Sequence, residues 1–242
     1  MIADLLGKKR TKNTVKSYEK WLNKKETENG ILRKNLAITK ANKYTETINV
    51  DTNNPYSLLG VKKGKEMSIY KADKGNANPL YVLKTDEYTL NCQRCVWAYE
   101  ARRRGYDVIA SEKILNGVDT LPKMKDPKGW ANVVKDGLNN LISMQATTEK
   151  GCKSNIEAKM KDYGDGSRAI IRVQWQQNGG GHVFIAEHVN GKTKFIDPQS
   201  GSTDIEWYFD KGMIKPKKTY LLRTDDKEFS DLITKCIKGR KK

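Results

Sequence analysis

Residues 181–199 read GHVFIAEHVNGKTKFIDPQ, and the predicted fold depends on this stretch. Two runs rich in β-branched and aromatic residues flank Asn190-Gly191, a dipeptide that favours a two-residue hairpin turn because both residues tolerate positive φ. The pattern predicts strands over 181–189 and 192–197. We expect these two strands to pair as a hairpin within an antiparallel sheet.

The turn also predicts which side chains meet across this hairpin. A two-residue turn pairs Val189 with Lys192. If the same register continues, His182 lies opposite Gln199, and Asp197 shares a face with both. Diagonal neighbours are about 7–8 Å apart at the backbone, within reach of long side chains. We therefore expect Asp197 to contact His182 and to orient its imidazole.

A second stretch, LNCQRC at 90–95, supplies the candidate nucleophile. Asn91 is a favoured N-cap residue, so a helix is predicted over 92–104. The helix dipole stabilises a thiolate in the first turn, which makes Cys92 the expected nucleophile. Cys95 lies one turn deeper on the same face, and we expect it to pack inside as free cysteines usually do.

The remaining pattern predicts an α+β domain with helices early and antiparallel strands late. Further helices are expected over 130–145, over 154–163 from a capping box at its start, and over 226–238. Further strands are expected over 106–110, 168–175 and 219–223.

The charge is large and unevenly distributed. The 242 residues include 46 Lys and Arg against 29 Asp and Glu, a formal net charge of +17. Residues 1–43 hold 12 basic and 4 acidic side chains and predict a basic helical arm. Residues 44–77 are expected to be a linker, and residues 78–242 the catalytic domain. A basic arm favours nonspecific contact with nucleic acid, while the alternative is a solvated Lys-rich face.

Several classes of protein are not expected. No apolar run reaches the ~18 residues of a membrane helix, and the first residues lack the apolar core of a secretory signal. We therefore expect no membrane association and a cytoplasmic or virion-associated protein, or one delivered by a dedicated secretion system. Four cysteines are too few for a disulfide scaffold.

A zinc site is the alternative interpretation of the CxxC motif. It would need Cys92, Cys95, His182 and Cys152, and the spacing of Cys152 gives no metal signal. His188 cannot join His182 on one ion, because six residues of regular strand separate them by about 20 Å. We expect neither a metal nor a cofactor.

Three separated motifs resemble the papain-fold toxin domains found in bacterial polymorphic toxins and appended to phage minor head proteins. They are NCQRCV at 91–96, GHVF at 181–184 and FIDPQ at 195–199, in that order. The resemblance extends over about residues 78–223. It implies a papain-like fold, a catalytic triad of Cys92, His182 and Asp197, and relatives that are cysteine peptidases or protein-glutamine deamidases.

The sequence departs from papain-like peptidases at the oxyanion position. Those enzymes place a glutamine about six residues before the nucleophile, where this chain has Asp86. Asn91 and Gln199 are the candidates for an oxyanion or supporting role.

Two functional hypotheses follow. The first is a cysteine-dependent hydrolase of protein carboxamide or peptide bonds, a toxin, effector or phage-associated enzyme. Its partners would be a protein substrate and either an immunity protein or phage structural proteins. The second is a phage structural or polyanion-binding protein that carries a non-essential papain-like domain.

Overall fold

The computed structural model describes residues 61–116, 119, 121 and 127–240. The predicted basic arm over 1–43 lies outside this part of the chain, as does the beginning of the predicted linker. The helices are α1 (Ile69–Ala72), α2 (Asp86–Thr89), α3 (Cys92–Arg103), α4 (Pro127–Trp130), α5 (Glu149–Tyr163) and α6 (Ile233–Cys236). The strands are β1 (Val108–Ala110), β2 (Ile142–Ser143), β3 (Arg168–Gln174), β4 (Gly181–Val189), β5 (Lys192–Ile196), β6 (Tyr220–Arg223) and β7 (Ile237–Gly239).

A five-stranded antiparallel sheet in the order β2-β6-β3-β4-β5 forms the middle layer. The predicted hairpin is confirmed, with Val189 paired with Lys192 and with φ of 52° at Asn190 and 72° at Gly191. Side chains of β4 alternate between the two faces, as the strand period requires. Val183 and Ile185 join the core that contains α3, whereas Phe184 packs in the core that contains α5. The antiparallel α+β class expected from the sequence is therefore observed.

The hairpin ends earlier than its extended register predicts. Regular pairing stops at Ile185 opposite Ile196, and Asp197 instead forms an isolated bridge with Ser202. Proline has no N–H to donate to a strand ladder, so Pro198 turns the chain out of the sheet. The predicted pairing of His182 with Gln199 is consequently wrong, although Asp197 still contacts His182 through its side chain.

Helix α3 begins at Cys92 as predicted and is the most buried helix among the described residues. Ten of its 12 residues are buried. Consecutive arginines lie at its C-terminal end, and each forms an ion pair with a carboxylate. Arg103 pairs with Glu187 of β4 at 2.5 Å, and Tyr99 donates a hydrogen bond to the same carboxylate at 2.6 Å. Arg104 pairs with Glu100, which also binds Arg168 of β3. These ion pairs attach α3 to the sheet.

Two of the predicted helices are wrong. Residues 130–145 contain the end of α4, two 3₁₀ turns and β2. The chain is not a continuous helix there, since Asp136 adopts a left-handed φ of 55° and residues 142–143 pair with β6. In the segment 226–238, only α6 is helical, and β7 follows it because residues 237–239 pair with β1.

Helix α5 starts five residues before the predicted capping box. Its cap is Thr148, whose hydroxyl accepts a hydrogen bond from the Gly151 N–H. The hydroxyl of Ser154 donates to the Lys150 carbonyl inside the helix, so it does not cap the helix. The end of α5 at Tyr163, before Gly164, agrees with the prediction.

Replacing Glu187→Gln is expected to destabilise the protein strongly. The Glu187 side chain is fully buried, and its loss of charge would leave Arg103 without a counter-ion. Breaking a buried ion pair on one side costs about 3–5 kcal/mol. Urea unfolding monitored by tryptophan fluorescence measures this change. Glu228→Gln, which removes the exposed pair with Lys135, is the control and should change the unfolding free energy very little. Equal effects of the two variants would contradict the role assigned to Glu187.

Candidate active site

Cys92 lines a cleft of about 770 Å³, together with His182 and Gln199. It is the first residue of α3, and its side chain is 8% exposed. Asn91 occupies the N-cap position as predicted, but its side chain makes no capping hydrogen bond. The Asn91 side-chain amide instead donates to the Ser111 carbonyl at 2.7 Å. Asn91 therefore supports the wall beside the cleft, whereas Gln199 is the supporting candidate that faces it.

His182, near the start of β4, connects the other two predicted triad residues. Its Nε2 donates to Asp197 Oδ2 at 3.3 Å, since a carboxylate can only accept. Nδ1 is then the ring nitrogen left to exchange a proton with the Cys92 thiol. Burial lowers the pKa of His182, but the charges of Asp197 and Cys92 and hydrogen bonds with both raise it to about 10. Trp175 stacks on the ring at 5.4 Å and restricts its orientation.

Asp197 is held by donors that surround its carboxylate. Tyr208 and Ser200 donate their hydroxyls to Oδ2 at 2.8 and 3.1 Å. The Gln199 backbone N–H donates to Oδ1 at 3.0 Å. Burial alone would raise the pKa of Asp197, but the His182 charge and these hydrogen bonds hold it below its usual value. The carboxylate is therefore a fixed, ionised acceptor for the imidazole.

Two of these supporting residues, Tyr208 and Ser200, were not identified from the sequence. Tyr208 lies in a 3₁₀ turn that the chain reaches after leaving β5, and its ring contacts His182 edge-on at 5.8 Å. No spacing rule connects such a turn to the hairpin. Ser200 had a usable signal, because a serine three residues after an aspartate can bond back to it in a turn.

The other three cysteines do not line the cleft that contains Cys92. Cys95 is fully buried, and burial raises the pKa of its thiol well above the usual value. Cys152 donates to the Pro216 carbonyl on the α5 side of the sheet, in a different core from Cys92. The four residues of the zinc alternative are therefore not brought together, and the described residues contain no cluster of three potential metal ligands. No helix in that part of the chain is long and apolar enough to span a membrane.

A second buried carboxyl group lies close to the site. Asp73 ends α1 and is fully buried, and neither of its oxygens accepts a hydrogen bond of normal geometry from the described residues. Burial and the nearby charge of Asp197 raise the pKa of Asp73 to about 7. The backbone N–H groups of Lys74 and Gly75 and the charge of Arg102 only partly oppose this shift. Asp73 therefore remains protonated in weak acid, while Asp197 is ionised.

A cysteine at the start of a buried helix, with a histidine and an aspartate from an antiparallel sheet, is the arrangement expected for a papain-like cysteine hydrolase. Residues 90–202 match the family model described as papain fold toxin 1, glutamine deamidase. The resemblance predicted from the three motifs is thereby confirmed for this segment, which contains Cys92, His182 and Asp197. No curated protein and no solved structure gave a significant match.

Asp73→Asn should stabilise the protein at pH 8 more than at pH 4.5. Between the unfolded pKa of 3.8 and the folded pKa of about 7, the native state retains a proton that the unfolded chain releases. Stability therefore falls as pH rises through this window, and the substitution removes that cost. A shift of about three units corresponds to at most ~4 kcal/mol. Urea unfolding at both pH values measures the difference.

Asp162→Asn, on the exposed face of α5, is the control. Its effect on the unfolding free energy should be small, because the side chain is exposed. A stability change at Asp73 that is identical at pH 4.5 and pH 8 would show that this carboxyl titrates normally.

Proposed function

We propose that this protein is a cysteine-dependent glutamine deamidase of the papain-fold toxin type that acts on a protein substrate. The observation that carries the proposal is the position of His182, buried between Cys92 and Asp197 in a cleft large enough for a side chain. The match of residues 90–202 to a family described as glutamine deamidase supports this choice of reaction.

The chemistry follows from these positions. The Cys92 sulfur attacks the carboxamide carbon of glutamine and forms a tetrahedral intermediate. His182, as imidazolium, gives its proton to the departing nitrogen, and ammonia leaves. The neutral imidazole then takes a proton from water, which attacks the thioester and releases glutamate and the free thiol. Asp197 keeps the imidazole in the required tautomer throughout.

The developing oxyanion needs hydrogen-bond donors. The N–H of Cys92 is one candidate, because the first N–H groups of a helix have no acceptor within that helix. The side-chain amide of Gln199, which lines the cleft, is the second. Asp86 occupies the position of the papain oxyanion glutamine but begins α2 and does not line the cleft.

Peptide-bond hydrolysis uses the same steps with an amine as leaving group, so the product distinguishes the two reactions. Candidate host proteins are incubated with the protein and their intact masses are measured. Deamidation adds about one dalton per glutamine and releases ammonia, whereas proteolysis produces fragments. Cys92→Ala is the matched control, and it should produce neither. Unchanged masses across a broad substrate panel, without ammonia, would count against an enzyme.

Cys92→Ala should abolish ammonia release, and Cys95→Ala should retain most of it. Cys92 lies in the cleft, whereas Cys95 is fully buried one helical turn away, where it serves packing. Initial rates of ammonia release measure the difference, and thermal unfolding checks that both variants fold. An inactive Cys95→Ala with an active Cys92→Ala would mean that the nucleophile is misassigned.

Asp197→Asn should lower kcat more than Tyr208→Phe does. An asparagine cannot stabilise the imidazolium by charge, so we expect kcat to fall by roughly 10–10³-fold. This range is smaller than the loss in a serine protease because cysteine ionises more readily than serine. Tyr208→Phe removes one hydrogen bond to the carboxylate, for which about tenfold is expected. Tyr70→Phe, outside the cleft, is the control. Wild-type rates for Asp197→Asn would leave a dyad of Cys92 and His182.

A further inference from the structure

Exposed apolar side chains are concentrated on one wall of the catalytic cleft. The described residues include five large hydrophobic side chains that remain exposed. Three of them, Leu90, Ile114 and Leu115, line the cleft that contains Cys92, with exposures of 54%, 40% and 42%. Apolar groups grouped in this way at a cleft indicate a binding surface, whereas isolated exposed ones do not. We refer to these three residues as the apolar wall.

The apolar wall is attached to the helix that carries the nucleophile. Leu90 directly precedes Asn91, whose side-chain amide donates to the Ser111 carbonyl. The backbone N–H of Lys113 donates to the Glu87 carbonyl in α2 at 3.0 Å. The segment before Ile114 is thus bonded to the residues before Cys92 at two points. The wall is therefore held at a set position relative to the reacting sulfur.

The charged residues that line the cleft do not favour a basic substrate side chain at the apolar wall. Asp119 lines the cleft, but Arg94 binds its carboxylate through two nitrogens, at 2.5 and 3.2 Å. Apart from the proposed catalytic residues Cys92 and His182, Lys113 is the other charged residue among the lining residues the structure describes. A basic substrate side chain would therefore meet a cation and an already paired carboxylate, whereas an apolar one would bury exposed hydrophobic surface.

We propose that the apolar wall is a specificity subsite, and that the substrate is a protein segment with a large aliphatic or aromatic residue adjacent to the target glutamine. The cleft volume of about 770 Å³ accommodates more than one side chain. With the glutamine carboxamide at Cys92, the neighbouring residue lies against Leu90, Ile114 and Leu115. This proposal rests on the proposed function and specifies its substrate class.

Short peptides test the preference directly. Three blocked peptides contain one glutamine flanked by alanine on both sides, by leucine before it, or by leucine after it. Ammonia release gives kcat/KM for each. One leucine peptide should exceed the alanine peptide by at least about tenfold, as expected for several methylene groups in an apolar site. A lysine-flanked peptide should be the poorest. Equal values for all four peptides would overturn the proposal.

The variant Leu90→Ser, Ile114→Ser, Leu115→Ser tests whether the wall causes the preference. All three side chains are at least two-fifths exposed, so their loss leaves the core unchanged. The ratio of leucine to alanine kcat/KM should fall towards one. Tyr70→Ser is the matched control, an exposed aromatic residue outside this cleft, and should keep the wild-type ratio. An unchanged ratio in the triple variant would also overturn the proposal.

Binding to Cys92→Ala separates failure of the subsite from failure of the reaction. Trp175 lines the cleft, so a change in tryptophan fluorescence on adding peptide reports binding without chemistry. Cys92→Ala should bind a leucine peptide more tightly than the alanine peptide, and adding the three serine substitutions to Cys92→Ala should remove this difference. That result supports the subsite even if the wild-type protein releases no ammonia. If all peptides release ammonia and none binds more tightly than the others, the proposed deamidase activity is supported and the proposed subsite is rejected.

Discussion

The ion pair between Arg103 and Glu187 joins the helix that carries Cys92 to the strand that carries His182. Both partners are largely withdrawn from water, so separating α3 from β4 would leave an uncompensated buried charge. Hydrophobic packing alone tolerates sliding of a helix on a sheet, but a paired guanidinium and carboxylate does not. The pair therefore sets the position of the thiol relative to the imidazole from the opposite end of the helix. Glu100, bound by Arg104 and Arg168, repeats this arrangement against β3.

The two buried carboxyl groups near the site differ in charge because they differ in hydrogen bonding. Asp197 accepts bonds from His182, Tyr208, Ser200 and the backbone after Pro198, all of which favour its ionised form. The nearby charge of Asp197 helps to raise the pKa of Asp73. The Asp73 carboxyl group has no comparable hydrogen-bond donors around it. Two adjacent buried carboxylates repel, so the group with more hydrogen-bond donors takes the charge. The negative charge is consequently located on the carboxylate that contacts the imidazole.

Local chemistry predicted the parts of this site that lie within one hairpin or one helix turn. Asn190-Gly191 gave the register of β4 and β5, and Asn91 gave the start of α3. The contact of Asp197 with His182 was also anticipated, although Pro198 ended the ladder before the expected pairing. Tyr208 and Asp73 could not be predicted, since they reach the site through long-range packing. The expected helices over 130–145 and 226–238 failed for the same reason, because β2 pairs with the distant β6 and β7 pairs with the distant β1.

The role of Asn91 shows how a local expectation and a functional one can differ at the same residue. An N-cap side chain normally satisfies an N–H of the first helical turn. Here the side-chain amide holds Ser111 instead, and Oδ1 is buried with no partner among the described residues. The helix therefore gives up part of its usual capping stabilisation, about 1 kcal/mol in typical proteins. The same amide fixes the loop that leads to Ile114 and Leu115 beside Cys92, and Cys92 remains at the positive, N-terminal end of the α3 dipole.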